Sequence, residues 1–382
     1  MSNNILTIPP ELFDLVARFA QPCDLLALRL VCREASEKVH DVFRDVHFST
    51  CAVLFSSEDS LRTLLSVARQ ELFFSRAVRK IIFCPNVVDD EADGSSYVPP
   101  PDIHECQKLA VAESDRLILL GLDLELLVQV FATFAQRGKV VEVQIANYPS
   151  DDQGRSKSDI PKPWNLTALE TSCDQPLYES HTLEPDNNRI STMLLRALEQ
   201  TQFPEQKLSI LQYTWLPTFL RTAADNHPEL SSALRCVLPK LTHLELALGW
   251  YGLDPEEQDI KRVDELVGLA TSLQSLTIYN KMAYLKSEGQ RRCVQRQTAF
   301  FNKYLCREIQ TLHRLELDKA LIDSETLFRF VKRNPKLRSL HLKSIILYCA
   351  TAFGHSENGA WEQVRLGARR PAQTVFAGGH EC

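Results

Sequence analysis

LTHLEL, Leu241 to Leu246, is the segment on which the fold turns. Leucine occupies its first, fourth and sixth positions. The last two leucines flank one polar residue, as on a strand with one buried face. Three later segments share the spacing: LQSLTI (273–278), LHRLEL (312–317) and LRSLHL (337–342). Their middle leucines, 244, 276, 315 and 340, are 32, 39 and 25 residues apart. The spacing alone is not specific, because Leu25-Leu28-Leu30 and Leu117-Leu120-Leu122 match it within segments that read as helices.

Context separates the two groups. Each of the four segments follows an apolar helical stretch. Phe301, Tyr304, Leu305 and Ile309 precede the third; Leu327, Phe330 and Val331 precede the fourth. Ser324 is the expected N-cap of that last helix, and Asn334-Pro335 breaks it. Helix, turn and short strand at irregular intervals predict a leucine-rich-repeat-like α/β solenoid over residues 189–353. An ordinary α/β domain with leucine-rich strands is the other reading. In the solenoid the leucines face inward, and His243, Glu245, Thr277 and Glu316 tend toward the concave side or its edge. Trp250, Tyr251 and Tyr279 lie just past two of the strands. They are candidate substrate contacts, because exposed aromatics anchor interfaces; covering the solenoid's edge is their alternative role.

Toward the N-terminus, residues 46–147 read as a helix–strand connecting region. Ser57 to Gln70 is helical, with Leu61, Leu64, Leu65 and Ala68 on one face. Val78, Ile81 and Phe83 form a strand ended by Pro85; residues 86–102 are an acidic, proline-rich loop; residues 105–136 are one helix; Val140, Val143 and Ile145 form another strand. Both strands keep the leucine-segment spacing and read as earlier, degenerate repeats. Residues 148–188 are polar and broken by prolines, among them Pro161, Pro163, Pro176 and Pro185, which predicts a long loop or disordered insertion. Residues 354–382 form a tail of little periodicity.

Composition narrows the function. A net charge of −6 argues against a general nucleic-acid binder. The densest basic run, KRNPKLR (332–338), reads as a solvated face. The most apolar window, Leu117 to Ala135, is interrupted by Asp123 and Glu125, so it predicts a core helix rather than a membrane span. The start of the chain lacks a basic, then apolar, signal sequence. The eleven cysteines never form Cys-x-x-Cys, which fits reduced thiols in a cytoplasmic or nuclear protein. No nucleophile elbow, phosphate loop or metal-ligand spacing occurs, so no catalytic residue, metal or cofactor is expected.

The first 45 residues contain the other informative stretch, IPPELFDLVARFAQPCDLLALRLVCREASEKV, Ile8 to Val39. Leu12, Leu15, Val16 and Phe19 make one helical face, with Pro9 and Pro10 in the first turn. Pro22 ends this piece. Asp24 is the expected N-cap of a second helix, Leu25 to Val31, and a third runs from Arg33 to Phe43. A module this small buries little surface by itself, so a partner or the following domain must cover the remainder.

This stretch resembles an F-box. The family pattern is Leu-Pro-x-Glu, an apolar helix, then Asp-Leu-Leu-x-Leu-x-x-Val-Cys-Arg. The chain has Ile8-Pro9-Pro10-Glu11, then Asp24-Leu25-Leu26-Ala27-Leu28-Arg29-Leu30-Val31-Cys32-Arg33. A looser similarity, including Gly359-Ala360-Trp361, points to the large F-box group of filamentous ascomycete fungi. The resemblance implies docking on a Skp-type adaptor and, through it, a cullin–RING ubiquitin ligase, while the rest of the chain presents a protein substrate. Ile8, Pro9, Leu12, Leu15, Leu25, Leu28, Val31 and Cys32 are the implied adaptor contacts, some of which would only pack the helices together. The protein would recruit and not catalyse. A non-catalytic scaffold acting outside any ligase is the alternative.

Overall fold

The structure, a computed structural model, describes residues 8–70, 74–84, 112–137, 140, 142–146, 184–204, 206–211, 228–249, 265–281, 308–318, 321–343, 345–348 and 373–376. The protein is a mixed α/β chain built on parallel strands. It forms two compact units: Met1–Val143 with Ser158–Ser180, and Gln144–Lys157 with His181–Cys382.

The first unit opens with three helices, α1 (Pro10–Phe19), α2 (Pro22–Val31) and α3 (Arg33–Phe48). Pro22 starts α2 instead of ending α1, because a proline at the first helical position gives up only an N–H that has no partner there. Asp24 therefore sits inside the first turn of α2, where its carboxylate accepts the Gln21 N–H at 3.3 Å. The expected module boundary at residue 45 falls within α3, which continues to Phe48.

Strand β1 (Thr50–Leu54) follows, then α4 (Glu58–Arg69) and β2 (Lys80–Cys84). β1 and β2 pair in parallel, with Cys51 opposite Ile81 and Val53 opposite Phe83. Cys51 to Leu54 and Ile81 to Cys84 are all buried, so these strands are covered on both faces. β3 (Glu142–Ala146) joins beyond β2: the Glu142 N–H donates to the Arg79 carbonyl at 3.2 Å, and Lys80 pairs with Glu142 at 2.7 Å.

The helix expected over 105–136 is two helices among its described residues, α5 (Ala112–Leu120) and α6 (Leu122–Arg137), bent by 74°. Gly121 sits between them at φ +63°, a conformation that side chains with a Cβ rarely adopt. Among the described residues no single helix is long and apolar enough to cross a membrane, although the bent pair passes on length and composition. α6 buries Leu126, Leu127, Val130, Phe131 and Phe134.

Glu58 ties α5 to the start of α4. Its carboxylate pairs with Arg62 at 2.6 Å and with Arg116, while its N–H donates to Glu113 at 2.7 Å. Hydrogen bonding by Arg62, outweighing burial and aided by the charge of Arg116, holds the Glu58 carboxyl below its ordinary pKa. A depressed carboxylate contributes stability above its unfolded pKa and loses it as pH falls through the folded one. Replacing Glu58 by Gln should therefore lower the melting temperature at neutral pH, and the two proteins' curves should converge in acid. Parallel curves across that window would contradict this role.

In the second unit, α7 (Glu184–Thr201) leads to β4 (Lys207–Leu211). The expected loop over 148–188 thus gives way to helix at Glu184, while residues 148–183 lie outside the described residues, as do 85–111. α8 (Pro228–Val237) precedes β5 (His243–Gly249), and a helical turn at 265–269 precedes β6 (Ser275–Lys281). Next come β7 (Arg314–Asp318), β8 (Leu321–Asp323), α9 (Ser324–Arg333), β9 (Ser339–Lys343) and β10 (Ile346–Tyr348). Asp323, not Ser324, caps α9: its carboxylate accepts the Thr326 N–H at 3.0 Å. β11 (Gln373–Phe376) pairs with β9 inside the stretch read as a tail.

The strands run in the order β4-β5-β6-β7-β9-β11, each neighbour parallel. Their register aligns the leucine segments. Leu208, Leu244, Leu276, Leu315 and Leu340 stand in one column across the sheet. Ile210, Leu246, Ile278, Leu317 and Leu342 stand in the next. The first column is buried throughout, as are Leu246, Ile278, Leu317 and Leu342. β8 and β10 form a second, two-stranded parallel ladder.

Candidate protein-docking site

α1 buries Phe13 and Ala17, one turn apart, against Leu25 of α2 and Val39, Val42 and Phe43 of α3. The guanidinium of Arg29 lies over the Phe43 ring at 4.1 Å and joins α2 to α3. The i, i+3, i+4, i+7 stripe of α1 points the other way. Leu12 (53 %), Leu15 (53 %), Val16 (52 %) and Phe19 (82 %) are exposed. So are Leu26 (48 %), Leu30 (86 %) and Val31 (70 %) of α2. A helix that is apolar on two sides needs two covers. The three-helix core supplies only one.

The expected contacts divide accordingly. Pro9, Leu12, Leu15, Val31 and Cys32 are exposed, Ile8 is half-buried, and Leu28 is half-buried against the core. Leu25 leaves the set: at 0 % exposure it packs the helices together and cannot meet a partner. Sequence reasoning missed Val16, Phe19, Leu26 and Leu30 as surface residues. The signal was a complete apolar stripe on α1 beside a separate Phe13–Ala17 pair.

Cys23 and Cys32 are exposed, with Cys32 Sγ accepting the Ala35 N–H at 3.4 Å to cap α3. Cys51 and Cys84 are buried, and burial pushes both thiols up to about 12. Because the thiolate is the nucleophile, brief maleimide labelling followed by peptide mapping should modify Cys23 and Cys32 and spare Cys51 and Cys84. Labelling of Cys84 without denaturant would contradict the burial.

The second unit offers a polar sheet face. Opposite the leucines, Ser209, Glu245, Thr277, Glu316 and His341 form one row, and Lys207, His243, Ser275, Arg314 and Ser339 another. Glu245 binds Lys207 at 2.8 Å and Ser209 at 2.9 Å, and Glu316 binds Arg314 at 2.8 Å. Thr277, expected toward the concave side or its edge, lies on this face and is buried, as is Ser209. Tyr279 shares this face, half-buried, in register with Ala247 and Asp318. Trp250 and Tyr251 lie outside the described residues. Among the described residues no group of three His, Cys, Asp or Glu side chains is placed to hold a metal ion.

No family model matches the chain, and no curated protein matches it either.

Proposed function

We propose that the protein is the substrate-recruiting subunit of a Skp–cullin–F-box ubiquitin ligase. In this reading α1–α3 are an F-box head that docks on a Skp-type adaptor and, through it, on a cullin–RING ligase. The aligned leucine columns are a leucine-rich-repeat-like array that presents a protein substrate on its polar face. The protein recruits; transfer chemistry belongs to other subunits.

The observation that carries the reading is the exposed apolar stripe of α1, Leu12, Leu15, Val16 and Phe19, with Leu26, Leu30 and Val31 also exposed on α2. Large apolar side chains exposed together on one helix face mark an interaction site. Covering one such side chain contributes about 1.5–3 kcal/mol. The face belongs to the same segment whose residues resemble the F-box pattern.

The test is capture of the purified full-length protein by an immobilised fungal Skp-type adaptor. Saturable binding supports the reading. A well-folded protein that is not captured would sink it and leave a non-catalytic interaction scaffold.

A further inference from the structure

The basic run Lys332–Arg338 spans the end of α9 and the turn into β9. The fold brings a neighbouring strand to the same place. The N–H groups of Arg338 and Ser339 donate to the His313 carbonyl at 2.8 and 3.0 Å, and Arg314 is in register with Ser339. His313 and Arg314 therefore start the neighbouring strand at the same edge of the sheet.

Asn334 fixes the turn from inside. At 1 % exposure, its Oδ1 accepts the Ile309 N–H at 2.7 Å and its Nδ2 donates to the Phe330 carbonyl at 2.8 Å. Its own carbonyl accepts the Leu337 N–H at 3.0 Å. Lys332, Lys336 and Arg338 are exposed and form no ion pair among the described residues. Among the described residues, Glu316 is engaged by Arg314 at 2.8 Å and Glu325 by Arg329 at 3.7 Å, while Glu308 is exposed. A helix C-terminus accounts for Lys332 and Arg333. It does not account for Lys336 and Arg338, which lie beyond the helix.

We propose that this pinned turn, with the start of β7, is a docking surface for a short acidic segment of a protein partner. The backbone that carries these cations is already fixed, so only side-chain freedom is lost when an anion arrives. Opposite charge steers the encounter and fixes its register. The chain's net charge of −6 disfavours a long polyanion such as duplex nucleic acid, which gains affinity from many phosphate contacts. A short acidic stretch of polypeptide fits a patch of this size. The inference rests on the ligase reading only in making that partner a substrate.

Fluorescence anisotropy with the full-length protein and a fluorescein-labelled decaglutamate peptide tests it. The parent should bind saturably at low salt. The variant Lys332→Ala/Lys336→Ala/Arg338→Ala should bind at least tenfold more weakly, and Arg79→Ala/Arg235→Ala should bind like the parent. Lys336→Arg/Arg338→Lys keeps the charge and should keep the binding, which separates recognition from a folding defect. Adaptor capture should be unchanged in the triple variant, so failure of the head and failure of the patch are read independently. No saturable binding by the parent, equal affinity of the triple variant, or tighter binding of a short DNA duplex would each overturn the proposal.

Discussion

If α1–α3 dock on a Skp-type adaptor as proposed, Phe19→Asp/Leu30→Asp should weaken adaptor capture at least a hundredfold and leave the fold intact, the largest effect expected of the three helices. Both side chains are more than four-fifths exposed, at 82 % and 86 %. Exposed substitutions usually change stability by no more than about 0.5 kcal/mol. At a docked interface the same residues would be desolvated anchors. Removing two anchors of about 2 kcal/mol each exceeds the roughly 2.8 kcal/mol that a hundredfold loss requires. Leu25→Asp is the informative contrast. It places a charge within the Phe13–Val39–Phe43 core, so it should lose binding and helical circular dichroism together. If the folded Phe19→Asp/Leu30→Asp protein is captured as well as the parent, the exposed face is not the docking face.

Leu276→Ala should destabilise the second unit by about 2–5 kcal/mol, the usual range for a buried leucine truncation. Leu276 is 0 % exposed and stands in the column between Leu244 and Leu315, both buried. The cavity therefore opens between three strands at once. Because β6 pairs with both β5 and β7, that loss spreads to its neighbours in the sheet. Hydrogen exchange should quicken first in β5, β6 and β7, while the amides of α1–α3 keep their protection. A urea midpoint shift worth less than about 1 kcal/mol would show that the column does not hold the sheet together.

The leucine strands were legible because Leu244, Leu276, Leu315 and Leu340 each sit two residues from another large aliphatic and follow a helical stretch. β1 was missed because TCAVL is buried on both faces, which erases the alternation that marks a strand. β4 was missed although Leu208 and Ile210 alternate, because its residues lack the leading leucine of the later segments. In the head, periodicity located the stripe on α1 but gave it no direction. A stripe of Leu12, Leu15, Val16 and Phe19 reads the same whether it faces a core or solvent. Only packing of Phe13 and Ala17 against α3 decides that it faces out. The basic turn was half legible: Lys332 to Arg338 is continuous in sequence, whereas His313 and Arg314 reach the same edge through strand pairing.

Gly121 decides the shape of the most apolar stretch of the chain. As one straight helix, residues 112–137 would be about 39 Å long, longer than the roughly 30 Å hydrocarbon layer of a bilayer. The left-handed glycine instead turns the chain by 74° after Leu120 and delivers Leu126, Leu127, Val130 and Phe131 to the protein's own interior. One residue without a side chain thus divides the most apolar stretch of the sequence into two short helices in place of a single long rod.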